Sequence, residues 1–173
     1  MQRAAEELGR GLARQNIRLI YGGGKVGLMG TVADAVLDAG GQVIGIIPEF
    51  LTRREVAHEG LTERHVTDTM HTRKTRMFAL ADAFVTLPGG LGTLDETVEI
   101  ITWRQLGLHD KPVLICNAGG WANALVAAFE ACVQDGFADA TAAALYEVLP
   151  DVPAVLDRLT HVAPQSPGDT SRM

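Results

Sequence analysis

The sequence predicts an α/β fold, an open and mainly parallel sheet, doubly wound, with helices on both faces. Three observations point to it. Short apolar runs alternate with helical spacings along the whole chain, the pattern that lays helices over a parallel sheet. Two strand candidates, "QVIGIIP" (42–48) and "KPVLICN" (111–117), are almost continuously apolar, as strands covered on both faces are. Glycine or proline closes three strands at their carboxyl ends, at Tyr21–Gly24, Pro48 and Pro88–Gly92, where open α/β sheets bind ligands.

The elements follow in order. Residues 1–15 carry Ala4, Ala5, Leu8 and Leu12 at helical spacing. "IRLIY" (17–21) reads as a strand ended by Gly22-Gly23-Gly24. Leu28, Val32, Ala35, Val36 and Ala39 mark a second helix, stopped by Gly40-Gly41. "QVIGIIP" is the next strand. Residues 51–62 are polar and irregular, a loop, and a short strand follows near Arg64–Val66. A helix over 68–81, the strand "AFVTL" (83–87) and a helix over 94–106 come next. "KPVLICN" is then a buried strand. Residues 121–134 form a helix with Leu125, Ala128, Phe129 and Cys132 on one face, followed by the strand "YEVLP" (146–150) and a helix over 152–159. Doubly wound folds usually open with a strand, often a central one; that expected first strand is absent from this chain.

Length and composition bound the function. A chain of 173 residues suits one domain, expected over 1–161, and the final "VAPQSPGDTSRM" (162–173) reads as a disordered tail. Hydrophobic residues make up 47% and charged residues 21%, a globular balance. The net charge of −6 argues against a nucleic-acid backbone or an anionic membrane as partner. Two cysteines, Cys116 and Cys132, sit in apolar settings without metal-ligand spacing, which fits a reduced, cytoplasmic protein. No apolar run approaches the roughly 20 residues that span a bilayer, and the start lacks the apolar core of a secretory leader.

Three stretches carry candidate chemistry. In "PGGLGT" (88–93), glycines allow positive φ and close backbone approach, and the helix that follows offers free N–H groups and a positive dipole end. A phosphate fits there; so does a plain turn. Glu96 stands in Thr93-Leu94-Asp95-Glu96, a T-x-x-E capping box that would explain both residues without function. The competing reading is a carboxylate beside a phosphate loop. "YGGGKVGLMG" (21–30) is a second strand-to-helix glycine turn; it is not GxGxxG, and Gly22, Gly23 and Gly24 suit either a ligand face or close strand–helix packing. In "TMHTRKTRMFAL" (69–80), Met70, Met77, Phe78 and Ala81 define a buried face. Arg73 and Lys74 lie on or beside it, and there a cation snorkels or pairs. Arg73 is suited to clamp a phosphate or carboxylate. The five histidines, among them His58 and His109, show no metal spacing, so no metal is expected.

Together these runs resemble the Lonely Guy (LOG) family of cytokinin-activating phosphoribohydrolases, once labelled possible lysine decarboxylases. The hallmark PGGxGTxxE is present as Pro88–Glu96, with "YGGGKVGLMG" (21–30), "MHTRK" (70–74) and "TWRQLGLH" (102–109) as companions. The resemblance covers about residues 1–159. It implies a Rossmann-like fold, a homodimer, no cofactor, and hydrolysis of the N-glycosidic bond of a nucleoside 5′-monophosphate, either a cytokinin riboside 5′-monophosphate or AMP. The products would be a free base and ribose 5-phosphate. By motif match, Arg73 and Glu96 are the catalytic pair. Substrate contacts fall on Glu55, Lys74, Gly89, Gly90, Leu91, Gly92, Thr93 and Thr102, with Gly22, Gly23 and Gly24 beside them. The family's opening strand and its GS loop are not matched here. That departure keeps open an alternative, a non-catalytic nucleotide-binding protein of the same fold. Decarboxylation has no support in the sequence, because no lysine is set up for a pyridoxal-phosphate Schiff base.

Overall fold

A computed structural model describes residues 1–52 and 57–163. Two compact units appear, Met1–Ala81 and a second from Asp82 onward.

In the first unit, α1 (Gln2–Arg14) buries Ala5, Leu8, Gly9, Gly11 and Leu12, the i, i+3, i+4, i+7 stripe of an amphipathic helix. Its partner is α2 (Gly27–Asp38). A methyl group on Gly9 would stand 2.6 Å from the Val32 carbonyl oxygen, so the missing side chain lets the two backbones approach. Asn16, at φ 55, ends α1: its N–H donates to the Ala13 carbonyl and that of Ile17 to the Leu12 carbonyl, a full Schellman closure. The sheet has the order β1-β2-β3, with β1 (Leu19–Tyr21), β2 (Val43–Pro48) and β3 (Glu63–Thr67) all parallel. All six residues of β2, the middle strand, are buried, which explains its continuous apolar sequence. The connection from β2 to β3 contains a 3₁₀ turn, Glu49–Leu51, and an isolated antiparallel bridge from Ala57 to Gly24. α3 (Met70–Leu80) is capped by Thr69, whose hydroxyl accepts from the Thr72 N–H.

The second unit repeats the plan, with β4 (Phe84–Thr86), β5 (Val113–Cys116) and β6 (Glu147–Leu149) parallel in the order β4-β5-β6. α4 (Leu91–Gln105) links β4 to β5, and α5 (Asn123–Gln134) lies between β5 and β6. Ile101, Val113, Ile115 and Ala122 form the buried centre, packed by Phe84, Trp121, Phe129 and Tyr146 among others. α6 (Val152–Leu159) buries Val152, Val155, Leu156 and Leu159 behind an Asp151 cap that accepts from the Ala154 N–H at 3.0 Å.

The parallel α/β class is as predicted, and three local expectations change. α4 begins at Leu91, three residues before the expected start, because Gly90 is its N-cap and accepts from the Leu94 N–H at 3.1 Å. α5 turns Leu125, Val126, Phe129 and Val133 inward while Cys132 is exposed. Residues 140–145 form a 3₁₀ segment that periodicity did not reveal. Residues 164–173 of the expected tail lie outside the described residues. No helix among the described residues is long and apolar enough to cross a membrane.

Candidate active site

In the first unit the decisive side chain is Arg73. It is 5% exposed, so it does not snorkel. Its Nε–H donates to the Ile46 carbonyl of β2 at 3.1 Å, and its Nη1 lies 3.9 Å from Met70 Sδ. A Cβ on Gly22 would collide with Nη2; glycine is required here to make room for the guanidinium. Gly23 adopts φ +78, a conformation open to glycine at little cost. Its carbonyl accepts from the His58 N–H at 3.0 Å, and Gly24 pairs with Ala57. Lys74 is half-buried. Tyr21, the last residue of β1, is buried, and its hydroxyl has no hydrogen-bond partner among the described residues. Burial first, and then the charge of Asp34, raise its pKa from the ordinary 10.0, so the phenol stays neutral.

In the second unit the loop after β4 meets the N-terminus of α4. Gly89, Gly90, Leu91 and Gly92 are exposed. None of the three glycines has positive φ, so the conformational reason for glycine fails. Gly89 is explained by packing, because a Cβ there would strike the Thr93 side chain. At Gly90 and Gly92 a Cβ would meet nothing within 4 Å. Neither sterics nor φ demands glycine at these two positions. What glycine does provide there is an uncovered backbone at a helix start. The first N–H groups of α4 have no partner within the helix, and the first turn carries no acidic residue, which suits an anion.

The capping-box explanation of Glu96 falls with the position of the helix start. Thr93 is the third residue of α4 and Glu96 the sixth; neither is placed as the box requires. Glu96 is half-buried and shares a helical face with Gly92, four residues earlier. Side chains on a helix lean toward its N-terminus, the side on which Gly92 lies. Thr97 fixes the face behind: its hydroxyl donates to the Thr93 carbonyl at 2.7 Å and lies 2.9 Å from the Thr86 hydroxyl of β4. Thr102 is exposed, with its hydroxyl bonded to the Val98 carbonyl at 2.8 Å. Glu55 lies outside the described residues. Among the described residues no cluster of three His, Cys, Asp or Glu side chains could hold a metal.

A family model described as "Possible lysine decarboxylase" matches residues 29–159. A cytokinin riboside 5′-monophosphate phosphoribohydrolase of Rhodococcoides fascians is 51% identical over 134 residues, covering 77% of this chain and 68% of that protein. This chain belongs to the Lonely Guy (LOG) family. Another LOG protein, cytokinin riboside 5′-monophosphate phosphoribohydrolase LOG3 of Arabidopsis thaliana, is 45% identical over 163 residues, 94% of this chain and 76% of its own. Among solved structures, the LOG chain has the fold of the molybdenum cofactor carrier protein of Chlamydomonas reinhardtii (TM-score 0.69, 20% identity, 93% of this chain and 86% of that one). It also shares the fold of the structural-genomics target TM1055 (TM-score 0.70, 24% identity, 93% and 88%).

The sequence named Arg73 and Glu96 through the motif. It did not find His58, which is buried and bonded to Asp34, 24 residues earlier in the chain; no local pattern announces that pair.

Proposed function

We propose that this chain hydrolyses the N-glycosidic bond of a nucleoside 5′-monophosphate, a cytokinin riboside 5′-monophosphate or AMP, releasing the base and ribose 5-phosphate. The observation that carries the reading is the pair of unstrained, uncrowded glycines, Gly90 and Gly92, at the start of the helix that bears Glu96. Relatives named as cytokinin riboside 5′-monophosphate phosphoribohydrolases support it.

The 5′-phosphate rests on the N–H groups of Leu91, Gly92 and Thr93, with Gly89 keeping the loop in shape. Glu96 stands about 7.5 Å further along the axis from Leu91. As the C1′–N bond breaks, its electron pair leaves with the base, and positive charge builds on C1′ and the ring oxygen. The Glu96 carboxylate stabilises that charge and orients the water that adds to C1′; the proton lost by the water ends on the departing base. Anchoring the phosphate holds the sugar in register with the carboxylate. Arg73 supplies the fixed positive charge of the catalytic pair. Lys74, Glu55, Thr102 and the Gly22–Gly24 segment complete the contacts to substrate. The protein acts as a homodimer, a reading supported by Val98 and Leu106, apolar residues 42% and 68% exposed on or at the end of α4. Its cysteines are free, which suits the cytoplasm.

Incubation with AMP and with isopentenyladenine riboside 5′-monophosphate, followed by chromatography, tests the reaction. Free base and equimolar ribose 5-phosphate are expected, with the matching nucleosides poor substrates; no base from either nucleotide would sink the proposal. Glu96→Gln is expected to lower kcat by roughly 10²-fold or more, and full turnover in that variant would remove Glu96 from the chemistry. A light-scattering mass of one chain, 18.5 kDa, would overturn the dimer.

A further inference from the structure

His58 is 4% exposed and lies outside every motif of the site. Its ring is held at both nitrogens. Nδ1 accepts from the Gly60 N–H at 3.1 Å, so Nδ1 carries no proton. The ring proton is therefore on Nε2, which donates to Asp34 Oδ1 at 2.8 Å. Asp34 belongs to α2, the helix that follows the triple-glycine turn. The backbone of the same short segment grips that turn directly: the His58 N–H donates to the Gly23 carbonyl at 3.0 Å, and Ala57 bridges Gly24. The turn in turn carries Arg73, because the guanidinium occupies the space that a side chain on Gly22 would fill.

We infer that His58 is a positioning residue for Arg73: its ring pins the 57–60 segment to α2, and that segment holds the Gly22–Gly24 turn on which the guanidinium lies. The functional weight of this clamp rests on the proposed role of Arg73 in the hydrolase; the clamp itself does not. Three glycines in succession are conformationally loose, and a half-ångström of drift in a supporting loop matters to a side chain that must meet a reacting group. The ring takes up that looseness at a point where the glycines have no side chains of their own to do so.

The test is hydrogen exchange of the Arg73 Nε–H, followed by nitrogen-15 NMR beside the backbone amides of β2, in the wild type, His58→Ala and His58→Gln. Glutamine keeps an N–H donor for Asp34 without the ring. We expect His58→Ala to speed Arg73 Nε–H exchange at least tenfold more than it speeds the β2 amides, and His58→Gln to recover most of that difference. Equal acceleration of both probes would make His58 a general stabiliser and overturn the inference, as would a glutamine variant no better than alanine. Base release from AMP is measured on the same samples. A wild type that releases no base while His58→Ala still loosens Arg73 overturns the hydrolase reading and leaves the clamp standing.

Discussion

A buried guanidinium needs both room and acceptors, because its charge is costly to bury unless it is hydrogen-bonded. Arg73 receives room from Gly22 and an acceptor from Ile46, residues 51 and 27 positions away in sequence, which is why the sequence could mark Arg73 as a cation on an apolar face but could not say what receives it. Tyr21, next to Gly22, is the opposite case: its hydroxyl is buried without a partner among the described residues. An orphaned buried hydroxyl costs about 1–3 kcal/mol, so Tyr21→Phe is expected to be as stable as the wild type or more stable by about 1 kcal/mol in urea unfolding. The pH dependence has a definite sign. The phenol pKa is raised on folding, so its contribution is complete below the ordinary 10.0 and is lost as the pH rises above it. The phenylalanine variant should lack that alkaline loss. A variant less stable by more than about 1 kcal/mol would mean that the hydroxyl has a bonding role.

At the scale of the element, the two kinds of glycine before and inside α4 separate packing from function. Gly89→Ala drives a methyl group into Thr93 and should cost about 1–3 kcal/mol. Gly92→Ala meets open space within the first turn of a helix; it should leave stability unchanged or raise it by about 0.5 kcal/mol. If that open backbone holds the phosphate, Gly92→Ala nevertheless raises KM for AMP roughly tenfold, about 1.4 kcal/mol of lost binding. Thermal melts and initial rates on the two variants decide it: a Gly92→Ala enzyme with wild-type kcat and KM would show that the loop is only a turn. This is also where the sequence was least legible. T-x-x-E at 93–96 has the form of a capping box, but the cap is Gly90, which has no side chain to advertise it, and Thr93 folds back over Gly89 instead. In α5, Leu125, Ala128, Phe129 and Cys132 satisfy helical spacing, but the inward stripe is rotated toward Val126 and Val133, because several phases of an apolar-rich helix fit one pattern. The strands were easier to read. "VIGIIP" and "VLIC" are apolar throughout, and both are middle strands with neighbours on either side.

At the scale of the whole molecule, acid stability follows from which groups folding holds neutral and which it holds charged. His109, in the second unit, bonds through Nε2 to the Ile100 carbonyl at 2.9 Å and meets the Phe84 ring edge-on at 5.7 Å. Burial, the largest cause, pushes its pKa below the ordinary 6.5; the bond to Ile100 pulls the other way, and the charges of Arg104 and Lys111 add to the fall. The folded protein therefore binds fewer protons than the unfolded chain just below pH 6.5, and stability rises with pH through that range. The contribution is complete above 6.5 and is lost as the pH falls from there toward the folded value. In the first unit Asp68 behaves as a depressed carboxyl. It is held down chiefly by the Thr72 hydroxyl at 2.8 Å, and its contribution is lost only below the ordinary 3.8. The aspartate's window lies below 3.8, so a melt series from pH 8 to pH 5 reads the histidine and not the aspartate. His109→Gln keeps a donor for Ile100 and removes the titration. The wild type should lose stability on going from pH 7 to pH 5, by under about 1 kcal/mol for this half-buried ring, while the glutamine variant holds level over the same interval. If both lose the same amount, the acid sensitivity belongs to another group and His109 is only a packed, hydrogen-bonded ring.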